Sequence, residues 1–351
     1  MIKKAVNKLS DFMTNNASMV NLIESSPVLH GFINKLMINA IVNRARARPH
    51  PWSTKHPYTS WDALSDKTWS ARHLPERNAQ SFKSTEAQLS KLFVMNDKQQ
   101  LSQKSTCLFP AFAQHLTDGF IRTVMPHSNQ SKGVRLKNTS NHEIDLSSLY
   151  GRNSKQTDAL RKRTEKEGEK GRLKSQMLIP NRQAEPEEFA LYLFDQNGEY
   201  ANPEFSVLDP PLGLSNINNN PSLKHKLFAF GGDRANAAPQ VSMINTLLLR
   251  EHNRLAGELE LENPQWNDER VFQTARNALI VQYIKVVVED YINHISPTRL
   301  RFLADPKVAW KADWNRPNWI TTEFSLLYRW HSLVPMIVEW GGDLIRQVRQ
   351  F

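Results

Sequence analysis

One stretch in the C-terminal half restricts the fold of this chain more than any other feature. It reads VFQTARNALIVQYIKVVVEDYINHI and covers residues 271–295. Apolar or aromatic residues recur in it at spacings of three and four: Phe272, Ala275, Leu279, Tyr283, Val287, Tyr291 and Ile295. Residues at these spacings project from one face of an α-helix. The stretch therefore predicts a long, largely buried helix, which begins near the acidic pair Asp268 and Glu269 and ends before Pro297.

A second run, from Ser242 to Leu259, shows the same helical periodicity. No alternating stretch is long enough to predict a substantial sheet, and no run of 18 apolar residues is present to span a bilayer. The predicted fold class is therefore mainly α, with little β structure.

Composition agrees with a globular protein. The 351 residues are 40% hydrophobic and 23% charged, which is enough for one large or two ordinary domains with a sizeable core. The N-terminal residues MIKKAVNKLSDFMTNN lack the continuous apolar stretch of a secretory signal. Cys107 is the only cysteine, so no disulfide can form within the chain. These features lead us to expect a cytoplasmic protein without a signal peptide.

The N-terminal segment is basic and amphipathic. Residues 1–50 carry seven Lys or Arg against two acidic residues, and the basic residues flank an apolar stretch from Val28 to Val42. Such a helix can lie on an anionic membrane as a peripheral element, or it can pack on the body of the protein like any other helix. The sequence leaves both interpretations open.

Three regions are predicted along the chain. Residues 1–48 form the basic N-terminal helices, residues 49–75 an extended linker that opens with PHPWSTKHPYTSW, and residues 76–351 the main domain. A second basic stretch, Arg161 to Lys174, mixes both signs of charge and contains no aromatic residue on which a base could stack. It is interpreted as a solvated segment. Despite the net charge of +10, nucleic acid is not expected as a partner.

Near the C-terminus, TEFSLLYRWHSLVP places Tyr328 and His331 three residues apart in an apolar run. On a helix, such residues project from nearly the same face, so a phenol and an imidazole would share one site. The alternative is that both are amphipathic core residues whose polar atoms bond to the backbone.

At these helices and this motif, the sequence resembles the animal-type haem peroxidase superfamily, and within it the cyclooxygenase-like fatty-acid oxygenases. The resemblance rests on five runs that occur in the family's order: AFAQHLTDGF (Ala111 to Phe120), SNHEIDLSSLYG (Ser140 to Gly151), INTLLLREHNRLAGEL (Ile244 to Leu259), the helix from Phe272 to Ile295, and TEFSLLYRWHSLVP. It implies a haem peroxidase-like helical fold around a central haem.

The resemblance also implies roles for individual residues. His331 is expected to be the proximal ligand of the iron in a non-covalent haem b, and Tyr328 the residue that is oxidised to a radical. That radical would abstract hydrogen from an unsaturated fatty acid, and molecular oxygen would add to the carbon radical. Arg234 matches the family's distal-side arginine, and a role in a surface salt bridge is the alternative. Ala237 stands where covalently linked members have a glutamate, so the haem should be extractable.

On the distal side the sequence departs from the family pattern. The family has a glutamine four residues before its distal histidine, but four residues after Gln114 comes Asp118. An ionised aspartate is a poor proton donor for peroxide cleavage unless burial raises its pKa. The sequence leaves open whether Asp118 shuttles the proton or whether His115, on the same helix, faces the helix exterior. The run from Arg250 to Asn253 is expected to form a buried structural network.

Two further expectations follow from the resemblance. Asn141, the Glu143 carbonyl, Asp145 and Ser147 resemble a calcium loop, although Gly119 replaces one strong ligand; a turn stabilised by Asp and Ser is the alternative. Family members also continue well beyond the proximal histidine, so the chain, which ends at residue 351, is expected to be truncated at its C-terminus.

The leading functional prediction is a haem-dependent fatty-acid dioxygenase that uses a tyrosyl radical. A hydrogen-peroxide-dependent haem peroxidase is the second interpretation, and a truncated, non-catalytic haem-binding protein is the third. The oligomeric state does not follow from the sequence.

Overall fold

The computed structural model of the chain describes residues 12, 14–44, 70, 86–92, 102–123, 138–180, 185–315, 320–328, 337–340 and 343–346. The α-helices in these ranges are α1 (Ala17–Glu24), α2 (Pro27–Arg44), α3 (Glu86–Leu92), α4 (Leu108–Phe120), α5 (Ser147–Tyr150), α6 (Ser154–Leu160), α7 (Pro221–Lys224), α8 (Pro239–Glu262), α9 (Asp268–Val286), α10 (Asn293–Ile295), α11 (Pro306–Ala309) and α12 (Thr322–Leu327). Short 3₁₀ helices span Pro203–Val207 and Leu214–Ile217, and a π-helix at Val287–Ile292 joins α9 to α10.

The described strands form two small antiparallel pairs. β1 (Ser175–Leu178) pairs with β2 (Glu187–Ala190), with Ser175 opposite Ala190. β3 (Ile337–Trp340) pairs with β4 (Asp343–Arg346), with Ile337 opposite Arg346. The mainly α fold class predicted from the sequence is confirmed.

The two periodic runs form a helical hairpin of α8 and α9. Pro239 starts α8, where its missing N–H costs nothing, and the Asn267 side chain caps α9 by accepting from the Arg270 N–H at 2.9 Å. Small buried residues on the facing sides, Ala256 and Ala275 among them, let the two helices pack closely. Both predicted helices are confirmed, with the second one running through the π-helix.

The N-terminal helices α1 and α2 pack against the segment that follows α10. Val20 and Ile23 of α1 form a buried cluster with Leu300. On α2, His30 Nε2 contacts the Arg301 carbonyl oxygen at 2.7 Å, and Asn34 Nδ2 donates to a carbonyl oxygen at 3.0 Å. Thus one side of α2 is fixed to the body by buried polar groups.

The opposite side of α2 is apolar and faces solvent. The exposed fraction is 85% for Val28, 59% for Phe32 and 53% for Leu36, and Leu29 is also exposed. Their spacings of one, four and eight residues from Val28 put them on one helical face. The packed side agrees with the interpretation that α2 packs on the body of the protein, and the interpretation as a peripheral membrane helix stays a prediction.

The basic stretch after α6 is only partly a solvated segment. Most residues from 162 to 170 are exposed or half-buried, as expected. Arg161, however, is 3% exposed and donates to Asp268 at 2.7 Å and to Glu269 at 2.5 Å. The acidic pair at the start of α9 thus binds a buried guanidinium in addition to its favourable position at the helix N-terminus. The sequence predicts only the role of this acidic pair at the helix N-terminus, not its contact with Arg161.

The chain divides into two compact units. The first comprises residues 1–48, 113–122 and 139–318, and it contains the α8–α9 hairpin and β1–β2. The second comprises residues 49–112, 123–138 and 319–351, and it contains α3, α12 and β3–β4. The predicted boundaries at 48 and 75 stay predictions, and nearly all of the expected linker at 49–75 lies outside the described residues. Among the residues that the structure describes, none of the helices has the length and apolar character that crossing a bilayer requires.

Candidate active site

Helix α4 has a buried apolar face and a half-buried polar face. Ala113, Leu116 and Phe120 are buried, whereas Gln114, Thr117 and Asp118 are half-buried at positions i, i+3 and i+4. Gln114 and Asp118, both predicted as site residues, therefore lie on one helical face. One carboxyl oxygen of Asp118 is shielded from solvent.

His115 lies on the buried side of α4, which decides against the possibility that it faces the helix exterior. It is 1% exposed. Its Nδ1 contacts the Tyr283 hydroxyl at 2.8 Å, and its Nε2 contacts Asn245 Oδ1 at 3.0 Å and Ser148 Oγ at 3.3 Å. Burial lowers its pKa to about 4, although the hydrogen bond to Asn245 partly opposes this shift. The imidazole is neutral at pH 7 and engaged in the core.

Arg234 is tied to the C-terminal end of α4 through its neighbour. Arg234 Nη1 donates to Asp233 at 3.3 Å, and Asp233 also accepts from Arg122 at 2.9 Å. Arg122 follows α4 by two residues, is 1% exposed and also pairs with Asp209 at 2.8 Å. In the first unit, the structure therefore links Arg234 to the helix that carries Gln114 and Asp118.

A close backbone approach fixes the loop that carries Arg234. Gly231 N–H donates to the Leu149 carbonyl at 3.2 Å. A Cβ added to Gly231 would lie 1.9 Å from the Gly151 nitrogen and 2.6 Å from the Ser147 carbonyl oxygen. Only glycine fits there, because the obstructing atoms belong to the backbone.

The structure corrects the expectation of one helix through Tyr328 and His331. Helix α12 begins at a Thr321 cap, whose hydroxyl accepts from the Phe324 N–H at 3.1 Å, and it ends at Leu327. Tyr328 has φ −79° and ψ 81°, which is not helical, so the expected helix is wrong at this residue. Its half-buried ring stacks on Phe324, with centroids 4.7 Å apart. His331 lies outside the described residues.

In the loop predicted as a calcium site, the side chains form hydrogen bonds with other groups of the same turn. Asn141 Nδ2 donates to Asp145, and the Glu143 and Ser147 N–H groups each bond a side-chain oxygen at 2.9 Å. Within the described ranges, no group of three or more His, Cys, Asp or Glu side chains is arranged to hold a metal ion. The hydrogen bonds agree with the turn alternative.

The structural network predicted for Arg250 to Asn253 is present in part. His252 and Asn253 are buried, and His252 Nδ1 contacts the Tyr150 hydroxyl at 2.8 Å. Arg250 instead reaches β2, where it donates to the Glu188 carbonyl at 2.5 Å. Sequence reasoning missed the partners Tyr150, Tyr283, Arg122 and Asp209. No local signal identifies them, since they lie between 87 and 168 residues from the groups that they bind.

The residues predicted for the distal side of a haem fit that group in their polar side chains but not in their acid–base group. The Gln114 amide, the Asp118 carboxyl and the Arg234 guanidinium supply hydrogen-bonding and charged groups suited to an oxygen ligand. The imidazole that would cleave a peroxide is missing, because His115, on the same helix, faces the core.

Comparison with known proteins agrees with this fold. The chain is 26% identical over 354 residues to prostaglandin G/H synthase 2 of Bos taurus, and this alignment covers 98% of this chain and 53% of that protein. It is 28% identical over 330 residues to prostaglandin G/H synthase 1 of Rattus norvegicus, and this alignment covers 89% of this chain and 49% of that protein. The chain thus spans about half the length of these relatives. It shares its fold with a fatty acid alpha-dioxygenase from Arabidopsis thaliana, at a TM-score of 0.50 and 13% identity, over 96% of this chain and 62% of that one.

The family profile for animal haem peroxidases matches residues 119–342. The match includes Arg234, Tyr328 and His331, and it begins one residue after Asp118. Because it covers more than half of the sequence, the chain belongs to the animal haem peroxidase family.

Proposed function

We propose that this chain is part of a haem-dependent oxygenase of unsaturated fatty acids. His331 would hold the iron of a non-covalent haem b, and Tyr328 would be the residue that is oxidised to a radical. The proposal is supported by the relatives named prostaglandin G/H synthase, whose similarity extends over most of the chain.

The observation that carries the proposal is the position and packing of Tyr328. It lies three residues before His331 within the family match, and its half-buried ring stacks on Phe324. The haem, when bound, supplies the oxidising chemistry. Tyr328 gives up its phenolic hydrogen, and the resulting radical abstracts a hydrogen atom from the fatty acid. Molecular oxygen then adds to the carbon radical.

The distal side favours oxygenation over peroxide turnover. A peroxidase needs a group that first accepts a proton from the peroxide and then returns it to the leaving oxygen. The imidazole of His115 is committed to Tyr283 and Asn245, which leaves Asp118 as the acid–base candidate on that face of α4. Gln114 and Arg234 would orient the oxygen ligand by donating hydrogen bonds.

Oxygen uptake with a polyunsaturated fatty acid tests the proposal. Tyr328→Phe should abolish uptake and leave the haem absorption spectrum unchanged, because only the oxidisable hydroxyl is removed. Tyr200→Phe, which changes an exposed tyrosine stacked on Phe194, is the matched control and should retain uptake. His331→Ala should weaken or shift the Soret band, and an unchanged band would refute the ligand assignment.

Two other outcomes would replace this function. Turnover that requires hydrogen peroxide and consumes no oxygen would identify a peroxidase. A haem-loaded chain that is inert to both oxidants would identify a non-catalytic haem-binding protein.

We also propose that the N-terminal helices rest on the surface of an anionic membrane, as a peripheral element of a cytoplasmic protein. The exposed apolar face of α2, formed by Val28, Leu29, Phe32 and Leu36, is available for insertion, and the exposed Lys35 lies beside it. Each basic residue near an anionic surface contributes roughly 1 kcal/mol at low salt, and each inserted apolar side chain contributes about as much or more.

Co-sedimentation with liposomes that contain phosphatidylserine tests this location. Val28→Ser combined with Phe32→Ser should reduce binding, whereas Leu261→Ser should not. Leu261 is the matched control because it is 83% exposed but lies on α8. Equal binding by all variants, or binding that ignores lipid charge and salt, would show that α1 and α2 only pack on the body.

A further inference from the structure

A buried phenol and a buried imidazole form a direct hydrogen bond in the first unit. The hydroxyl of Tyr283 on α9 lies 2.8 Å from Nδ1 of His115 on α4. The two rings meet edge to face, with centroids 5.6 Å apart and an interplanar angle of 67°. Exposure is 4% for Tyr283 and 1% for His115, so this bond is shielded from water.

The neighbours of His115 determine which ring nitrogen carries the proton. Asn245 Nδ2 donates to the Val241 carbonyl at 3.2 Å, which turns Asn245 Oδ1 toward His115 Nε2. Because Oδ1 can only accept, Nε2 is the protonated nitrogen. Nδ1 therefore carries the lone pair, and Tyr283 donates its O–H to it.

We propose that Tyr283 is a second redox-active tyrosine, which gives one electron to haem oxidised by a hydroperoxide while its phenolic proton passes to Nδ1 of His115. The inference rests on the proposed haem binding. The phenol is oxidised by one electron, and the oxidised haem is reduced by one. The O–H bond breaks and an N–H bond forms, which leaves a neutral phenoxyl radical and an imidazolium.

The position of the pair on α4 connects it to the candidate site. His115 follows Gln114 directly and precedes Asp118 by three residues, on the helix that carries the distal-side residues. The charge of Asp118 acts on the Tyr283 phenol: after burial, it is the next largest cause that raises the pKa of that group. A negative charge near the phenol favours the removal of an electron from it.

The neutral state of His115 is compatible with this role. Its pKa of about 4 leaves Nδ1 unprotonated at pH 7, so the nitrogen is available as an acceptor. A phenol that has lost an electron is a far stronger acid than the parent phenol. The proton therefore moves even to a weakly basic imidazole.

A second tyrosine–histidine pair provides an internal control. The Tyr150 hydroxyl lies 2.8 Å from His252 Nδ1, and His252 Nε2 donates to the Gly171 carbonyl at 2.9 Å, so the tautomer is the same. The ring geometry is also close to that of the first pair, at 5.4 Å and 72°.

The charges around the two pairs differ in sign. The Arg276 guanidinium lies 4.9 Å from the centre of the Tyr150 ring, and the charges of Arg161 and Arg276 both act on His252. An imidazolium at His252 would be repelled by these cations, whereas the negative charge of Asp118 acts on Tyr283 and favours the loss of an electron from its phenol. Tyr283 should therefore be oxidised and Tyr150 should not.

Electron paramagnetic resonance tests the inference. The haem-loaded Tyr328→Phe variant, with ring-deuterated tyrosine as a reference, is mixed with hydrogen peroxide and frozen. A tyrosyl signal should persist in this variant, disappear when Tyr283→Phe is added, and remain when Tyr150→Phe is added instead. A signal that survives Tyr283→Phe, or one lost equally with Tyr150→Phe, overturns the inference.

A haem-free measurement separates this inference from the proposed function. The apo chain is oxidised by a photogenerated ruthenium(III) tris-bipyridine complex, and the same variants are compared. Tyr283→Phe should again remove the tyrosyl signal that Tyr150→Phe leaves in place. His115→Gln, which keeps a polar side chain but removes the base, should cause the same loss. If haem fails to bind, the proposed function fails, and the apo chain still decides whether Tyr283 is oxidised.

Discussion

Acidification from pH 7 to pH 5 should destabilise the folded chain, because two buried histidines resist protonation. Burial is the largest cause in both cases and lowers the pKa of His115 and of His252 from 6.5 to about 4. Hydrogen bonds to Asn245 and to the Gly171 carbonyl partly oppose these shifts. Each imidazole is neutral in the folded chain at a pH where it is already charged in the unfolded chain.

The direction of the effect follows from proton binding. Between pH 6.5 and pH 4, the unfolded state binds more protons than the folded state, so stability increases with pH. The contribution is complete above pH 6.5 and is lost as the pH falls toward 4. Between pH 7 and pH 5, each histidine contributes a loss of about 2 kcal/mol. Together they remove roughly 4 kcal/mol, a large part of the stability of an ordinary domain.

The Asp209 carboxylate does not account for a loss in this range. For Asp209, burial raises the pKa, but hydrogen bonds and charge from Arg152 and the charge of Arg122 outweigh it and leave the pKa below 3.8. A depressed carboxyl pKa contributes stability that is lost only as the pH falls through the folded-state value. That loss occurs below pH 4, outside the range in which the histidines act.

Urea titrations at pH 7, 6 and 5, followed by tryptophan fluorescence, measure the effect. His115→Gln removes one of the two titrating groups and should abolish about half of the pH dependence. His294→Gln, which changes an exposed histidine, should leave it intact. If the unfolding free energy of the wild-type chain does not change between pH 7 and pH 5, or if His115→Gln keeps the full dependence, the reasoning is refuted.

Three further outcomes are expected. Gly231→Ala should cost about 1–3 kcal/mol in urea unfolding, because its Cβ would lie 1.9 Å from the Gly151 nitrogen; Gly119→Ala, with nothing within 4 Å, should not destabilise. Arg122→Met should cost about 3 kcal/mol by the same measurement, because it removes a buried cation from two carboxylates. Asp118→His should raise peroxide-dependent turnover of the haem-loaded chain by about 10²–10⁴-fold, because it would place an acid–base imidazole on the α4 face that carries Gln114. Unchanged stability or turnover would contradict the respective argument.

The helices that could be predicted are those whose signals are local. In the α8–α9 hairpin, apolar spacing, a proline at the first turn and an acidic pair after Asn267 all lie within the segments themselves. The end of α12 could not be predicted in the same way. The apolar run continues past Leu327 without a glycine or proline until Pro335, yet the backbone at Tyr328 leaves the helical region.

The candidate site could be predicted only where residue type and spacing carry the information. Gln114 and Asp118 share a face of α4 because a spacing of four residues fixes it. The orientation of His115 depends instead on Tyr283, which is 168 residues away, and that of Arg234 depends on Arg122, 112 positions before it in the chain. Partners this remote leave no local pattern, so the sequence predicts candidate site residues without predicting which residues hold them in place.

Helix α4 connects the two redox proposals. A family member with a distal histidine has an imidazole where this chain has Asp118, so its proton chemistry occurs beside the oxygen ligand. Here the α4 imidazole is His115, which is turned into the core and bonded to Tyr283. The helix thus has a carboxylate on one face and a proton acceptor for a tyrosine on the other. The imidazole bonded to Tyr283 suits one-electron oxidation of this tyrosine, a step that still needs haem oxidised by a hydroperoxide. One-electron oxidation is also the chemistry required of Tyr328 in an oxygenase, which is the reason that a second oxidisable tyrosine bonded to α4 would matter.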